Sequence, residues 1–585
     1  MHAVEGGEPM KAVVVGGVAG GASTAARLRR LDESAQIVIL ERGRFVSFAN
    51  CGLPYHIGGE IEDRADLLLQ TPESLARSLA LDVRTGHEVL RIDREAKEVE
   101  VRDAEEGHTY RESYDKLVLC PGAEPIRPPI PGAESENAFV LRNVPDMDRI
   151  IARLDEGASR AVVVGGSYIG LEVAENLKAR GLETTIVERA DRPMPWLDEE
   201  MTRILQFHIH SQGVDMRLGT AAEAIRDRDD GSLTVELSEG ALLEADLVVL
   251  AVGVRPDASL ASEAGLEIGP HGGILVDEQM RTSDPDVLAA GDAVETKHML
   301  TGEPVLSMLA GPANREGRIA GETICGRDTA YRGTQGTAVV KVFEMTAGGT
   351  GLTEAELAEA GIEYRKVHTH QNGHAGYYPG TAPLFMKVLF APGGGELLGA
   401  QVLGWDGVDK RIDVLAVALR ARMSVFDLEH LELAYAPPYG SAKDPVNMAG
   451  FLGSNLLRGD IDLWYPEDYP DCAERVTILD VRTPHEYEHW HVAGAVNIPY
   501  TELRSRLEEV SRELPVYTYC RSGFRSYLAF EVLRQNGFDT AFLAGGMMTF
   551  HGYHRTPLAT GKAGMPVVTY AEDELAQRPG AAERV

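Results

Sequence analysis

Short apolar runs alternate with helix-prone stretches along roughly the first half of the chain,. The pattern predicts buried strands at Lys11–Val15, Gln36–Leu40, Tyr114–Leu119, Arg160–Val164, Thr184–Val187, Leu247–Val252 and Val287–Ala290. A helix-prone stretch through Leu31 follows the glycines after the first of these strands. Because strands that alternate with helices build parallel sheets, the pattern predicts an α/β fold.

Two of these strands run into glycine-rich loops. The loops are Gly16–Gly21 and Gly165–Gly170, and the strand that follows each ends in an acid, Glu41 or Glu188. Glycines let the backbone approach a pyrophosphate at a helix N-terminus, and the acid accepts a ribose hydroxyl. Since the whole arrangement occurs twice, the sequence predicts two dinucleotide-binding units. Both loops depart from G-x-G-x-x-G at the second glycine, at Val18 and Ser167,.

The second half of the chain has a different pattern. Strand-like runs occur at Thr337–Phe343 and Leu384–Phe390, and a helix is predicted near Arg411–Arg422. Asp460–Cys472 is rich in prolines, tyrosines and acids, which is typical of a linker,. A new α/β pattern begins at Val476 and continues to about Pro557, and the last two dozen residues are predicted to be loosely ordered.

Length and charge narrow the class of protein. The chain has 585 residues, enough for roughly three to five domains,. Its formal charge is −33, from 57 basic and 90 acidic residues, which makes nucleic acid an unsuitable partner,. An anionic ligand must therefore be held by local arginine, lysine or backbone N–H groups. The sequence predicts no metal site.

Compartment is predicted from apolar runs and cysteines. The longest apolar run, near Leu247–Val254, is far shorter than the ~18 residues of a membrane span,. The first residues lack the pattern of a secretory signal. Five scattered cysteines do not form a disulfide framework,. We therefore expect a cytoplasmic protein without a membrane partner.

Two cysteines lie in loops suited to different sulfur chemistries. Cys51 follows the first dinucleotide unit, within Ser47–Tyr55, where a thiol could exchange electrons with a nucleotide cofactor. Cys520 follows a strand, Val516–Tyr519, and opens a loop that enters a helix. Loop N–H groups and the helix N-terminus form a nest that lowers a thiol pKa and binds a persulfide. Together the two thiols indicate reduction of sulfur compounds.

The arginine spacing after Cys520 separates two chemistries. A cysteine phosphatase has five residues between its cysteine and arginine, whereas Arg525 follows Cys520 after four, with Ser526 at the phosphatase position. The shorter loop fits a sulfane sulfur, so we predict sulfur transfer by Cys520 with Arg521 and Arg525. An inactive docking domain is the alternative.

The two dinucleotide units, with Gly291–Asp292 closing a later strand, resemble the pyridine nucleotide–disulfide oxidoreductase family. The resemblance implies FAD at the first loop, NAD(P)H at the second, and a dimerisation domain that would make the protein a homodimer. The residues it implies for FAD are Gly16, Gly17, Val18, Ala19, Gly20, Gly21, Glu41, Arg42, Gly122, Gly291, Asp292 and Ala310. Those it implies for the nicotinamide nucleotide are Gly165, Gly166, Ser167, Tyr168, Ile169, Gly170, Glu188 and Gly253. Glu188 would repel a 2′-phosphate, which favours NADH, while the adjacent Arg189 leaves NADPH open.

Cys51 has no companion cysteine, since the next is Cys120. The oxidised thiol must then be a sulfenic acid or a mixed disulfide with a small thiol. The segment Ser47–Tyr55 resembles the branch that contains coenzyme A–disulfide reductases and NADH oxidases and peroxidases. In the reductases, one tyrosine from each of two later segments reaches the cysteine across the dimer interface. The best matches are Tyr377 and Tyr435, with Tyr378 and Tyr439 as neighbours; core packing is the alternative role.

The same resemblance implies coenzyme A as a ligand. The implied contacts are Ser23, Arg27, Arg30, Ser47, Asn50, Asn314 and Lys443. Arg27 and Arg30 are three residues apart and share one face of the first predicted helix. Their alternative role is to solvate that face. Asn314 stands where the related reductases often have histidine.

The C-terminal α/β pattern resembles a single rhodanese domain over roughly 85 residues. The segments that carry the resemblance are Ile478–Arg482, Glu486–Tyr487, His491–Pro499, Cys520–Ser526 and Leu543–Met547. We therefore predict two Rossmann-like domains, an α+β dimerisation domain and a C-terminal α/β rhodanese domain. The predicted boundaries are 9–122 with 251–335 for FAD, 123–250 for NAD(H), 336–458 for dimerisation, 459–473 for a linker, 474–560 for rhodanese and 561–585 for a tail.

The resulting hypothesis is an FAD-containing NADH reductase of coenzyme A disulfide, coenzyme A persulfide or polysulfide through Cys51, fused to a sulfurtransferase. Cys520 would exchange sulfane sulfur with donors of the thiosulfate type, in a direction that the sequence leaves open. One alternative is an NADH oxidase or peroxidase that uses Cys51 as a sulfenic acid. A non-catalytic sensor of NADH or persulfide and a sulfur carrier with a vestigial flavin domain are the others.

Overall fold

The protein, in a computed structural model that describes residues 9–554, divides into two units. Within the described residues the first unit comprises 9–189 and 215–334, and the second comprises 190–214 and 335–554. The predicted tail and the last residues of the predicted C-terminal domain lie outside the described residues. Across 9–554, no helix combines the length and the apolar character needed to cross a membrane.

The first unit follows the alternating pattern expected from its sequence. Its first elements are β1 (Lys11–Val15), α1 (Ala19–Leu31), β2 (Gln36–Glu41), α2 (Leu53–Gly58), α3 (Pro72–Leu79), β3 (Asp82–Thr85), β4 (His87–Asp93), β5 (Glu98–Asp103), β6 (Thr109–Ser113), β7 (Lys116–Leu119), β8 (Ala123–Pro125) and β9 (Ala138–Phe139). They are followed by α4 (Val144–Asp155), β10 (Arg160–Val164), α5 (Tyr168–Ala179) and β11 (Glu183–Glu188).

After α6 (Glu199–Ser211), which belongs to the second unit, the chain completes the first unit. These elements are β12 (Asp215–Leu218), β13 (Ala222–Asp227), β14 (Leu233–Leu237), β15 (Leu242–Ala245), β16 (Leu247–Leu250), β17 (Val254–Pro256), α7 (Ser259–Glu263), β18 (Ile274–Leu275), β19 (Val287–Ala289), β20 (Val294–Lys297), β21 (Pro304–Leu306) and α8 (Ala310–Ile324).

A five-stranded parallel sheet with the order β19-β7-β1-β2-β3 forms the first nucleotide fold. Alternate residues of β1 enter opposite cores. Val13 and Val15 pack with residues of the antiparallel sheet β4-β5-β6, while Ala12 and Val14 pack with α1, α3 and α8. A strand buried on both faces must be apolar throughout, which is why β1 has no polar alternation after Lys11.

The second parallel sheet repeats this plan with the order β12-β11-β10-β16-β9. Val162 and Val164 of β10 pack against Ile225, Leu233 and residues of the antiparallel sheet β13-β14-β15. A short antiparallel pair, β8 with β17, joins the segments before and after this sheet. The α/β architecture with two dinucleotide folds is therefore confirmed.

The second unit contains an antiparallel sheet and a parallel sheet. Its elements after α6 are β22 (Ala338–Val342), β23 (Met345–Gly351), α9 (Glu354–Glu359), β24 (Arg365–Asn372), β25 (Pro383–Phe390), β26 (Leu397–Gly404), α10 (Val408–Arg420), α11 (Val425–Leu428), α12 (Pro445–Arg458), β27 (Leu463–Trp464), β28 (Thr477–Asp480), α13 (Pro484–His489), β29 (Val496–Asn497), β30 (Val516–Tyr519), α14 (Phe524–Gln535), β31 (Thr540–Leu543) and α15 (Gly546–His554). The antiparallel order is β22-β23-β26-β25-β24, and the parallel order is β27-β31-β30-β28-β29.

Two segments lie at predicted domain limits. α6 connects the parallel strands β11 and β12 of the second nucleotide sheet, while Asp198 and Glu200 at its start pair with Lys387 of the second unit, so the predicted NAD(H) boundary stays a prediction. Residues 459–473 were expected to be a linker, but β27 pairs with β31, and Trp464 and Cys472 are buried in the C-terminal core. A run of prolines and tyrosines can thus be a packed domain edge. The other boundaries stay predictions.

Candidate functional site

The first glycine-rich loop lies at the carboxyl end of β1 and turns directly into α1. Gly16 has a left-handed φ of 93°, and a Cβ there would lie 2.1 Å from the carbonyl oxygen of Cys120. A Cβ on Gly21 would lie 1.9 Å from the carbonyl oxygen of Gly16. The N–H of Gly17 donates to Glu41 Oε2 at 2.9 Å, which holds that carboxylate beside the loop. The loop therefore presents bare backbone at a helix N-terminus, as pyrophosphate binding requires.

The second loop repeats the geometry of the first. A Cβ on Gly165, where φ is 116°, would lie 2.2 Å from the carbonyl oxygen of Ala251. A Cβ on Gly170 would lie 2.0 Å from the carbonyl oxygen of Gly165. The N–H of Gly166 donates to Glu188 Oε2 at 2.6 Å. The two loops thus place the acid of the following strand in the same position relative to the glycines.

Both departures from the fingerprint fall at the N-cap of a helix. Val18 is the N-cap of α1 and Ser167 is the N-cap of α5, and neither side chain makes a capping hydrogen bond. Tyr168 is the first residue of α5, and Ile169 beside it is exposed. The substituted residues leave the arrangement of strand, loop, helix and acid unchanged.

Other residues predicted to bind the nucleotides lie at turns after the strands. Gly122, Gly253 and Gly291 have left-handed φ values of 78°, 112° and 91°. The N–H of Gly291 donates to Glu316 Oε2 at 2.9 Å. Burial raises the pKa of Glu316 to about 7 and raises that of Asp292 above its ordinary value. Asp292 is therefore a partly desolvated carboxylate at the end of the first parallel sheet.

Two further residues predicted to bind FAD, Ala310 and Arg42, lie outside the glycine-rich loop and the turns after the strands. Ala310 is the first residue of α8. Arg42 forms ion pairs with Glu124 and, at 3.3 Å, with Asp257. Burial opposes the charge of Arg42, but these two carboxylates raise its pKa overall. The guanidinium of Arg42 thus ties β8 and the segment after β17 to the edge of the first nucleotide fold.

Cys51 lies in a 3₁₀ turn, Asn50–Gly52, that leads into α2. Its side chain is exposed, while Leu53 in the first turn of α2 is buried and anchors the segment. Desolvation by nearby protein atoms, followed by the negative charges of Glu172 and Asp292, raises the pKa of the Cys51 thiol,. Asp292 follows a strand of the first nucleotide fold and Glu172 lies on α5, so both folds influence this thiol.

Glu172 and Tyr55 form a pair that the sequence argument missed. The hydroxyl of Tyr55 donates to Glu172 Oε1 at 3.3 Å. Burial raises the pKa of Glu172 to about 7, and burial with the nearby carboxylates raises the pKa of Tyr55. A carboxyl group with this pKa can exchange a proton at neutral pH. The available signal was Tyr55 four residues after Cys51, within the motif that was already identified.

The next cysteine in the chain has different surroundings. Burial raises the pKa of Cys120 to about 12, so its thiol stays protonated at neutral pH,. A Cβ added to Gly20 would lie 3.4 Å from its sulfur, which shows that α1 covers it closely. All five cysteines are free in this structure. The single redox thiol expected at Cys51 stays a prediction.

The structure brings together only some of the residues predicted for coenzyme A. Ser23 on α1 donates to Asn314 Oδ1 on α8 at 2.5 Å. Arg27 forms an ion pair with Glu322, whereas Arg30 is exposed. The shared helix face of the two arginines therefore has one neutralised and one exposed charge.

The remaining coenzyme A candidates are at the surface or in turns. Ser47 has a left-handed φ of 47°, and Asn50 is exposed beside Cys51. Lys443 lies in the second unit and is exposed just before α12. Their role in ligand binding stays a prediction.

Tyr377 and Tyr435 lie on separate loops of the second unit, and their hydroxyl oxygens are 2.9 Å apart. The side chains are 75% and 47% exposed, respectively, so this is a surface pair and not a core contact. The hydrogen bond to Tyr435 raises the pKa of Tyr377. Tyr378 packs edge-on against His374, and Tyr439 is exposed. The two tyrosines that best match those of the related reductases are therefore hydrogen-bonded to each other in this structure.

Cys520 is only 1% exposed and lies in the loop between β30 and α14. The N–H of Gly523 donates to Cys520 Sγ at 3.2 Å, and the hydroxyl of Ser526 lies 3.4 Å from the same sulfur. Gly523 has a left-handed φ of 101°, which turns its N–H toward the sulfur before α14 begins. Both groups are donors that reach the sulfur, and the anion-binding role predicted for this loop stays a prediction,.

The arginines of this loop have different settings. Arg525 makes two ionic hydrogen bonds to Glu486, both of 2.7 Å. The Arg525 contacts lower the pKa of Glu486 to about 2 despite its burial. Arg521 is exposed. Arg525 is held in a bidentate pair that orients α13 against α14, and its predicted role in sulfur transfer stays a prediction.

The buried acid of β28 is fully partnered. Arg482 Nη2 donates to Asp480 Oδ2 at 2.7 Å, and the hydroxyl of Tyr519 donates to the same oxygen at 2.8 Å. Tyr519 immediately precedes Cys520. The hydrogen bonds of Asp480 therefore fix the strand end that delivers the cysteine.

Profiles of three protein families match the chain in succession. The profile described as Pyridine nucleotide-disulphide oxidoreductase matches residues 10–317, more than half of the chain. The chain belongs to this family. The dimerisation domain of the pyridine nucleotide-disulphide oxidoreductases matches residues 337–444, and a rhodanese-like domain matches 468–552. The protein is thus an oxidoreductase of this family with an added rhodanese domain, as the sequence predicted.

Individual members of the oxidoreductase family are similar over long stretches. A coenzyme A disulfide reductase of Staphylococcus haemolyticus is 35% identical over 448 residues, which are 76% of this chain and 100% of that protein. The crystal structure of reduced CoADR-RHD of Bacillus anthracis has 45% identity and a TM-score of 0.91, covering 93% of this chain and 98% of that one. A NAD-dependent persulfide reductase from A. fulgidus has 37% identity and a TM-score of 0.88, covering 92% and 100%. The last two similarities extend over the C-terminal domain.

Proposed function

We propose that this oxidoreductase uses NADH to reduce coenzyme A disulfide or coenzyme A persulfide at Cys51, and that Cys520 transfers sulfane sulfur. The observation that carries the proposal is the setting of Cys51. It is an exposed thiol without a partner cysteine, and charged groups from both nucleotide folds act on it. The names of the similar reductases support the same substrates.

The residues present fit two dinucleotides. Gly16–Gly21 with Glu41 would hold FAD, and Gly165–Gly170 with Glu188 would hold the nicotinamide nucleotide, since side chains at the key glycines would clash with backbone. Asp292, at the end of the first sheet, would contact the polar chain of FAD. When bound, these two groups supply an electron pair from NADH to the cysteine.

Cys51 would carry the substrate sulfur. In the oxidised enzyme it forms a mixed disulfide with coenzyme A, and two electrons and one proton convert this to the Cys51 thiolate and coenzyme A thiol. The thiolate attacks the outer sulfur of coenzyme A persulfide, so that an S–S bond to Cys51 forms and coenzyme A thiolate leaves. Two further electrons and two protons convert the Cys51 persulfide anion to thiol and hydrosulfide.

Reduction at Cys51 consumes protons, and we assign their transfer to two groups. Glu172, with a pKa of about 7, acts electrostatically on Cys51 and exchanges protons near neutral pH,. In the proposed homodimer the Tyr377–Tyr435 pair serves Cys51 of the partner subunit, where one phenol protonates the leaving thiolate. The exposure of both tyrosines leaves them accessible to a second subunit.

Coenzyme A would be held by residues on two helices. The joined side chains of Ser23 and Asn314 form a polar surface between α1 and α8, and the exposed Arg30 supplies a positive charge for phosphate,. Arg27 would have to exchange Glu322 for phosphate. Ser47 and Asn50 complete the proposed set in the first unit, and the role of Lys443, in the second unit, rests on the resemblance alone.

Cys520 would accept sulfur from a donor such as thiosulfate. Its thiolate attacks the outer sulfur, an S–S bond forms at Cys520, and sulfite leaves with the electron pair of the broken bond. The N–H of Gly523 and the hydroxyl of Ser526 then stabilise the terminal persulfide charge,. The buried position of Cys520 protects the persulfide from water and bulky thiols.

Mass spectrometry of the purified protein, denatured with and without reductant, tests the proposal at Cys51. We expect a coenzyme A adduct on Cys51 that is lost on reduction, and NADH consumption that depends on coenzyme A persulfide or disulfide. A sulfenic or higher oxide without an adduct, combined with faster NADH consumption by dioxygen or peroxide, would instead support the oxidase alternative.

A further inference from the structure

A buried charged cluster lies within the second unit, outside both cysteine loops. Lys387 of β25 is fully buried and forms ion pairs with Asp198 at 2.8 Å, with Glu200 at 2.5 Å and with Glu354. Despite burial, these carboxylates raise the pKa of Lys387. A buried charge is stable only with such partners, so the lysine fixes the start of α6 and of α9 to the antiparallel sheet.

The cluster continues to the first residues of the C-terminal domain. Lys366 of β24 lies 3.0 Å from Glu354 and also pairs with Glu467. The carbonyl oxygen of Lys366 accepts a hydrogen bond from the hydroxyl of Tyr465 at 2.9 Å, and its ammonium lies 4.8 Å from the Tyr465 ring centre. The dimerisation sheet and the rhodanese domain therefore share one connected set of ion pairs and hydrogen bonds, which is buried at Lys387 and exposed at Glu467.

A second line of contacts leads from the same sheet to the end of the rhodanese sheet. His370 of β24 is buried, and its Nε2 is hydrogen-bonded to the hydroxyl of Thr549 on α15 at 2.5 Å. A Cβ on Gly545 would lie 2.6 Å from His370 Nε2 and 2.0 Å from Thr549 Oγ1. His370 therefore packs closely against the Gly545 turn, with no room for a side chain at position 545. Burial lowers the pKa of His370 to about 3, so the ring is neutral.

The Gly545 turn in turn supports the Cys520 loop. A Cβ on Gly546 would lie 2.6 Å from the carbonyl oxygen of Cys520. The N–H of Met547 donates to that same oxygen at 2.9 Å, and the N–H of Met548 donates to the carbonyl oxygen of Arg521 at 3.1 Å. The backbone of the Cys520 loop is therefore held by the first turn of α15, and α15 is held by His370.

We propose that His370 of the dimerisation sheet is a positioning residue for the sulfur-transfer loop of Cys520. The Lys387 cluster keeps the rhodanese domain in one orientation on that sheet. The contact of His370 with Thr549 sets the position of the Gly545 turn, which supports the Cys520 loop. The position of the Cys520 loop thus depends on His370, a residue outside the rhodanese domain. This inference rests on the proposed sulfur transfer at Cys520.

The geometry explains why one residue can act at this distance. The carbonyl oxygens of Cys520 and Arg521 accept hydrogen bonds from α15, so a shift of α15 moves the sulfur relative to its donor, the N–H of Gly523. Misplacement of a reacting group by about 1 Å can cost about 100-fold in rate. A leucine at position 370 would fill the volume but lose the bond to Thr549, whereas glutamine can place an amide near the position of Nε2.

Full-length His370→Leu and His370→Gln are compared with the parent protein. His208→Leu is the matched control, because His208 is also buried, has a lowered pKa, and packs on Phe343 and Trp405 instead of the Gly545 turn. The readouts are kcat and KM for sulfur transfer from thiosulfate to cyanide, the alkylation rate of Cys520 by iodoacetamide, and NADH-dependent reduction at Cys51.

We expect His370→Leu to lower kcat of sulfur transfer by about 10- to 100-fold with a smaller change in KM. His370→Gln should recover most of the rate, and His208→Leu should behave like the parent. Cys520 alkylation should change in His370→Leu, while reduction at Cys51 should not. Parent-like sulfur transfer and alkylation in His370→Leu would overturn the inference, as would an equal loss in the His208 control.

A second variant covers the case in which His370→Leu does not fold. Thr549→Val removes the hydroxyl with little change in volume and should reproduce the loss in kcat. Parent-like kinetics in Thr549→Val would also overturn the inference. If the parent itself transfers no sulfur, the proposed function of Cys520 fails, and the alkylation rates alone then decide whether His370 positions the loop.

Discussion

The two cysteine loops hold their thiols in opposite ways. Cys51 is exposed, and desolvation together with two carboxylates raises its pKa. Cys520 is buried, yet the N–H of Gly523 and the hydroxyl of Ser526 reach its sulfur. The Cys520 loop therefore contains its own donors for a thiolate or persulfide. The Cys51 loop leaves the sulfur open, which fits a thiol that exchanges bulky partners and receives electrons.

The difference follows from backbone geometry. The Cys520 loop passes through a left-handed glycine into a twelve-residue helix, and the N–H of that glycine points at the sulfur,. Cys51 lies within a three-residue 3₁₀ turn followed by a six-residue helix. One thiol is therefore served by local backbone, and the other depends on groups that are distant in sequence, such as Glu172 and Asp292.

The largest effects are expected from substituting each cysteine in turn, which should separate the two activities. Cys51→Ser should lower NADH-dependent reduction of coenzyme A persulfide by more than about 1000-fold, because no other described thiol occupies this turn. Sulfur transfer from thiosulfate should remain near the parent rate. Cys520→Ser should give the reverse pattern. Steady-state assays of both reactions on both variants check this, and a Cys51→Ser protein that still reduced persulfide normally would contradict the proposed site.

The next test addresses the tyrosine pair. Tyr377→Phe and Tyr435→Phe should each lower kcat of persulfide reduction by about 10- to 100-fold, since general acid catalysis contributes at least this much. The double variant should be little worse than either single one, because the hydroxyl groups are bonded to each other and act as a unit,. Tyr378→Phe is the control. Additive losses would indicate that the two phenols act independently.

The third test concerns the donors to Cys520. Ser526→Ala should slow sulfur transfer about 10-fold, because it removes a hydroxyl that lies 3.4 Å from the sulfur and can donate to a charged persulfide,. Ser522→Ala changes the same loop without removing the contact to the sulfur and is the control. An unchanged rate of sulfur transfer would show that the backbone N–H of Gly523 suffices.

The smallest expected effect is at Glu172. Above pH 7 this carboxylate is charged and opposes ionisation of Cys51, so Glu172→Gln should lower the midpoint of Cys51 alkylation and speed it a few-fold at neutral pH,. Exposed Glu62 provides the control, Glu62→Gln. Alkylation of Cys51 across a pH series, followed by peptide mass spectrometry, gives both midpoints. A midpoint that moved upward would reverse the sign of the proposed interaction.

Local patterns in the sequence determined much of this protein. The repeated order of strand, glycine loop, helix and acid predicted two nucleotide folds, whereas the sulfur transfer predicted from the spacing of Cys520 and Arg525 stays a prediction. Neighbouring residues fix such features, because the loop and the first helical turn are built from consecutive backbone. The match of Tyr377 with Tyr435 came from resemblance, and only the structure showed that their hydroxyl groups meet.

Tertiary packing decided the rest. Three contacts join residues more than one hundred positions apart. They are Tyr55 with Glu172, His370 with Thr549, and the start of α6 with Lys387. The pattern of apolar and polar positions specifies which face of an element is buried but not which other element covers it. Buried charges such as Lys387 find their carboxylates only in the folded chain, where desolvation makes an unpaired partner costly,.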